Sequence, residues 1–149
     1  MEEFEIEGVK FIVLRHGEKV PAFMGPEVSL AAHLNMVGFR IDGILDYRKL
    51  SRIDKGLERL SEVVDTSSCV IISGRGPQWL YSVIAHHLHF SRAMGTYEPR
   101  IKAGVIAHGP WIGKCIDLGT GEIRDMEIGF SGKPRIDLRG FTHERLGDI

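Results

Sequence analysis

Between Val70 and Leu80 the chain reads Val-Ile-Ile-Ser-Gly-Arg-Gly-Pro-Gln-Trp-Leu, and this stretch constrains the fold more than any other. Ile71 and Ile72 are β-branched and predict a buried strand. Gly74 and Gly76 permit a sharp turn and let a ligand come close to the backbone. Pro77 suits the first helical position, where an N–H has no intrahelical partner anyway. The exposed N–H groups of such a helix start, with the helix dipole, favour an anion, and Arg75 adds a fixed positive fork. Ser73, Gly74, Arg75, Gly76 and Pro77 are therefore the candidate phosphate-binding set. The plain alternative is a tight strand-to-helix connection.

The helix continues as Tyr81-Ser82-Val83-Ile84-Ala85-His86-His87-Leu88-His89-Phe90. Leu80, Val83, Ile84, His87 and Leu88 share one face at helical spacing and should meet the core. Ser82, His86 and His89 fall on the opposite face. His86 and His89 stand three residues apart, near enough to share a ligand. They read as a metal pair, an acid–base site or solvated surface, and His86 joins the candidate ligand-binding set.

Downstream, Thr96-Tyr97-Glu98-Pro99-Arg100 ends one strand-like run, and Ile101 to Gly109 forms a second that ends in His108. Histidine, carboxylate and arginine at the ends of neighbouring elements predict a compact polar group. Arginine neutralises a phosphodiester, histidine moves protons, and histidine with glutamate holds a borderline metal ion. That combination suits phosphodiester cleavage. The alternative is that Glu98 and Arg100 form an ordinary surface pair of little energetic consequence.

With these motifs on the page, the chain resembles the small CRISPR-associated ring nucleases of type III systems, first described as manganese-dependent deadenylating RNA exonucleases. Ser73-Gly74-Arg75-Gly76-Pro77, Trp79-Leu80, Ala85-His86, His89 and Tyr97-Glu98-Pro99-Arg100 recur there in that order and spacing. The resemblance runs from about Phe39 to about Leu118 and is strongest from Val70 to Arg100. It implies catalytic roles for His89, Glu98 and Arg100, and for His108 after a one-residue shift. It also implies a CRISPR-associated Rossmann-like fold and a manganese ion served by His89 and Glu98. The ligand implied is cyclic tetra-adenylate or a short adenylate RNA, opened by metal-assisted cleavage or by attack of the ribose 2′-hydroxyl. The implied assembly is a homodimer that becomes a tetramer or larger around the ring. In the family an aspartate stands at the position of Glu98, so this carboxylate sits one methylene further out. A binding module with little turnover is the second reading.

A competing motif opens the chain. Val9 to Leu14 reads as a strand ending in Arg15-His16-Gly17-Glu18, which resembles the phosphorylated-histidine signature of the histidine phosphatases. Ile106-Ala107-His108-Gly109 resembles their second histidine. Against that reading, Arg75 lies inside the glycine turn, whereas in those enzymes the middle arginine lies on the following helix.

A chain of 149 residues with 43% hydrophobic content buries one proper core and predicts one domain. The net charge of −1 gives no global drive toward long nucleic acids, though a short or cyclic oligonucleotide held by a few aimed groups remains compatible. The two cysteines, Cys69 and Cys115, sit in apolar strand-like runs and read as reduced core residues. No apolar run approaches the ~18 residues of a membrane span and no signal peptide opens the chain, so a cytoplasmic protein is expected.

The elements alternate. After strand 9–14 comes a loop with Pro21, Gly25 and Pro26, then a short helix or ordered insertion over 28–36. Phe39 to Leu45 reads as a strand. Arg48 to Val64 reads as a helix, with Leu50, Ile53, Leu57, Leu60 and Val64 in register and Gly56 a weak point. Strand 69–72 and helix 77–90 follow, then strands near 93–98, 101–107, 114–118 and 122–128. The pattern predicts a single α/β domain, a central mixed sheet flanked by helices. Residues 1–36 are expected as an N-terminal extension packed on the core, 37–128 as the ring-nuclease-like domain and 129–149 as an irregular tail.

Overall fold

A computed structural model describes residues 1–126 of the chain. The expected irregular tail from residue 129 lies outside the described residues. Eight strands form one mixed sheet in sequence order: β1 (Glu2–Ile6), β2 (Val9–Leu14), β3 (Leu34–Ile41), β4 (Cys69–Ser73), β5 (Ala93–Glu98), β6 (Ala103–His108), β7 (Lys114–Ile116) and β8 (Ile123–Asp125). The centre, β3-β4-β5, is parallel. Antiparallel meanders extend it on both sides.

Parallel neighbours require crossovers, and these supply the helices. Between β3 and β4 run α1 (Leu50–Gly56), a 3₁₀ turn (Leu57–Arg59) and α2 (Leu60–Val63), and between β4 and β5 runs α3 (Gln78–Leu88). The strand order advances in one direction, so two right-handed crossovers put both helical segments on the same face. That face packs Val37, Phe39, Val70 and Ile72 against Ile53, Leu60, Leu80 and Ile84. The other face is covered without a helix. Residues 15–33 fold over it as a long loop pinned by the Lys19–Ser29 bridge, and bury Val20, Met24 and Leu30 against Met36, Ile71 and Ile106.

Three expectations change on inspection. Residues 28–36 form no helix: the loop contains only a 3₁₀ turn at Ala22–Met24 and then enters β3. The strand expected from Phe39 begins at Leu34, because Leu34 to Phe39 is buried on both faces and shows no alternation to read. Residues 2–6 form β1, a strand the sequence reading passed over. Phe4 and Ile6 alternate there with exposed glutamates, and a two-residue turn at Glu7 (φ 50°) and Gly8 (φ 85°) leads into β2. The helix expected over 48–64 is present but tightens after Gly56, whose missing Cβ gives Ile6 room: an added methyl would stand 2.8 Å from Ile6 Cγ2.

Candidate functional site

The parallel strands β3, β4 and β5 end together, and beyond their carboxyl ends lies a cleft of about 870 Å³. Such crevices are the usual ligand sites of open α/β sheets. The turn after β4 forms its floor. Gly74 takes φ 154°, and a Cβ there would stand 2.6 Å from the Phe39 carbonyl oxygen, so the turn accepts only glycine. The Tyr81 hydroxyl donates to the Gly74 carbonyl and fastens the turn to the first coil of α3. Burial raises the Tyr81 pKa, which keeps that phenol a donor. Pro77 is extended (φ −68°, ψ 155°) and supplies no side-chain cap, so the first amides of α3 face outward.

Three cations line or edge the cleft: Arg40 from β3, Arg75 from the glycine turn and Lys102 from the β5–β6 turn. Arg40 lies 3.4 Å from Asp42. Arg75 and Lys102 are exposed and have no acidic partner among the described residues. Ser73 behaves differently from expectation. Its buried hydroxyl donates to the Met24 carbonyl at 2.6 Å, so it holds the 15–33 loop and is not free for a phosphate.

Glu98 ends β5 and Arg100 lies in the β5–β6 turn, on either side of Pro99, which lines the cleft. Arg100 grips the carboxylate through Nε (2.7 Å) and a terminal nitrogen (3.2 Å), and its backbone N–H adds a third bond at 3.1 Å. The Arg100 hydrogen bond holds the Glu98 carboxyl below its usual range against a smaller opposing effect of burial. The pair is closed upon itself and fixes the turn that presents Lys102.

The histidines lie elsewhere. Helix α3 runs back along the sheet, so His86 and His89 stand at the amino ends of the parallel strands. His108 pairs with Met94 at the start of β5 and belongs to the same end. From Met94 to Glu98 the strand rises roughly 13 Å. One chain therefore does not assemble the compact group expected from the sequence: His86, His89 and His108 occupy one pole, and Arg75, Glu98 and Arg100 the other. The reason is topological, because a helix that begins at one end of the sheet must finish at the other. For the same reason His86 is not beside the glycine turn. His89 and Glu98 of one chain do not fit a shared manganese ion, and no group of three or more His, Cys, Asp or Glu suited to a metal occurs among the described residues.

His89 is nonetheless chemically prepared. Its Nδ1 lies 2.6 Å from the His86 carbonyl oxygen, so Nδ1 carries the hydrogen and Nε2 is left as an exposed proton acceptor. The same bond caps the last turn of α3. His87, expected in the core or at its boundary, lies at the boundary and bonds Asp54 at 2.7 Å. His16 sits past the end of β2, four strand-to-strand steps from β6, or roughly 19 Å laterally from His108. The two histidines of the phosphatase reading do not meet. Cys69 and Cys115 are free and buried, and burial pushes the Cys69 thiol up to about 11.

Sequence reasoning passed over Arg40, Lys102 and Phe23, and gave Tyr97 no role beyond its place in the motif; all four line the cleft. Arg40 was visible as the one cation in Phe39-Arg40-Ile41 at a strand end. Lys102 takes a positive φ (53°), which no sequence signal announces.

The family described as CRISPR-associated protein (Cas_csx3) matches residues 38–114. This chain belongs to the Csx3 family of CRISPR-associated proteins. The match takes in the end of β3, the glycine turn, α3, β5 and β6, and so contains both poles. It leaves out β1, β2 and the 15–33 loop. A protein of Aquifex aeolicus (strain VF5), described as uncharacterized, is 37% identical over 43 residues, which is 28% of this chain. The aligned part spans 39% of that relative's length. No helix among the described residues is long and apolar enough to cross a membrane.

Proposed function

We propose that this protein is a ring nuclease that binds cyclic tetra-adenylate and opens it by phosphodiester cleavage. The observation that carries the reading is the cleft at the carboxyl ends of β3–β5, whose glycine turn, with Arg75 and Lys102 lacking an acidic partner among the described residues, suits the phosphates of a small nucleotide. Family membership supports a CRISPR context for that ligand.

The two poles of one chain are too far apart to act on one phosphate. The active unit is accordingly an assembly in which the cleft of one copy faces the histidine pole of another, and a ring with repeated phosphates suits a symmetric set of subunits. His89 Nε2 accepts the proton of a ribose 2′-hydroxyl. The 2′-oxygen attacks the adjacent phosphorus, the P–O5′ bond breaks, and the 5′-oxygen takes a proton from the imidazolium or from His108. The products are linear oligoadenylates ending in a 2′,3′-cyclic phosphate and a 5′-hydroxyl. The manganese dependence of the resembled enzymes has no fitting ligand set within one chain, and no step here passes through a metal.

The test is labelled cyclic tetra-adenylate incubated with wild type, with Arg75→Ala, with His89→Ala and with the two variants mixed. The reading requires wild-type cleavage to the cyclic-phosphate product and, at ligand concentrations too low to saturate Arg75→Ala, partial recovery on mixing. Ligand bound but never opened by wild type would favour a binding module, and light scattering that shows only monomers with ligand present would remove the shared site.

A further inference from the structure

One wall of the cleft comes from residues 22–26, part of the loop that covers the sheet and lies outside the family match. Loops usually earn mobility from poor packing, but this one is fixed at three points. Ser73 donates to the Met24 carbonyl. The Met24 side chain fills a notch left by Gly38, where an added Cβ would stand 1.7 Å from Met24 Cε. Gly25 lies flat against Tyr97, with the ring 3.3 Å from where its Cβ would be. Val20, Met24 and Leu30 of the loop are buried, while Phe23 is left 58% exposed and lines the cleft. The Arg40 guanidinium stands 5.8 Å from the Phe23 ring centroid.

A well-anchored loop here holds an aromatic ring more than half exposed, next to Arg40 and in a cleft that Arg75 and Lys102 also line, so most of the ring's apolar surface is left uncovered by the fold. The arrangement has a binding rationale. Proteins that hold single-stranded nucleic acid combine cations for the backbone with aromatic faces for the bases. We propose that Phe23 is a stacking platform for one base of the bound oligonucleotide, with Arg40 extending the stack by its planar guanidinium, while Arg75 and Lys102 take the adjacent phosphates. The inference rests on the proposed cyclic oligoadenylate reading and adds to it a base subsite built by the N-terminal segment, outside the part of the chain shared with the family.

The experiment is equilibrium binding of cyclic tetra-adenylate to wild type, Phe23→Ala, Phe23→Leu and Phe23→Trp, each over a series of salt concentrations. Loss of one base–aromatic stack weakens binding by at least about five-fold. Phe23→Ala and Phe23→Leu should both show that loss, Phe23→Trp should restore affinity, and the salt slope should stay at the wild-type value because no phosphate contact is removed. Thermal unfolding of Phe23→Ala should match wild type, since the ring is mostly exposed. Wild-type affinity in Phe23→Ala, or in Phe23→Leu, would overturn the platform while leaving the ligand assignment intact. A wild-type protein that does not bind cyclic tetra-adenylate would overturn the ligand reading and the platform together.

Discussion

The two poles of the sheet are built from the same strands and have opposite chemistry. At the carboxyl ends of β3–β5 the backbone is locked: Gly74 admits no side chain, Ser73 and Tyr81 spend their hydroxyls on carbonyls, and Arg100 closes on Glu98. What remains free there is positive charge. At the amino ends, His86 and His89 are exposed on the last turn of α3 and His108 ends β6, with His89 holding one ring nitrogen open. One pole is suited to hold an anion and the other to move a proton. The lesson is that the length of the strands keeps the free cations and the histidines of one chain apart, so a site that used both would need a second copy, as the proposed function requires.

The comparison breaks most directly at His89. With His89→Ala, turnover of cyclic tetra-adenylate should fall by about 100-fold or more, the range for losing a general base, while affinity changes little. A variant that cleaves at the wild-type rate would remove the proton-transfer role from that pole. Arg75→Ala should show the converse: affinity weakened by roughly ten-fold, as expected when one charged hydrogen-bonding group is lost, with turnover retained at saturating ligand. Equal losses of affinity in both variants would mean that the poles are not separate in function.

A smaller effect sharpens the structural side. Ser73→Ala leaves the Met24 carbonyl without its buried donor and should cost about 1 kcal/mol of stability, read as a lower melting temperature. Because the serine touches the loop and not the ligand, affinity should follow only through Phe23. An unchanged melting temperature would show that the loop is held by packing alone.

The smallest effect is electrostatic. The folded Glu98 carboxyl titrates below its ordinary value of 4.5 because Arg100 bonds its charged form. The pair therefore stabilises the fold above the unfolded value, and that contribution is lost as pH falls through the lower folded value. Exposure of the arginine keeps it small. The stability gap between wild type and Glu98→Gln should be full at neutral pH and shrink below about pH 4. A gap that widens on acidification would contradict the closed pair.

Much of the scaffold is legible without coordinates. Val70 to Leu80 announces a strand, a glycine turn and a helix because each step has its own local cause: β-branching, the need for a residue without Cβ, and a proline at the helix start. The alternation of strands with helical periods over 48–90 predicts an α/β domain with a mixed sheet, and the sheet is mixed. Leu34 to Phe39 was harder to read, since a strand buried on both faces carries no period. Covering one face of the sheet with a loop in place of a helix depends on Gly38 and Ser73 meeting Met24 and on Gly25 meeting Tyr97, contacts that two of the three pairs make across about fifty to seventy residues.

The residue types that suit phosphate chemistry, and the family they belong to, are set by sequence, because motifs are local. Whether those residues meet is not local. Spacing along α3 brings His86 and His89 within reach of each other, yet the direction in which a crossover helix must run carries both away from Arg75 and Glu98. Phe23 and Arg40 are ordinary in the sequence and become neighbours in a cleft only because the middle of the 15–33 loop reaches the pole at which β3 ends. The chain determines its chemistry residue by residue; the direction and order of its strands decide which of those residues share a site.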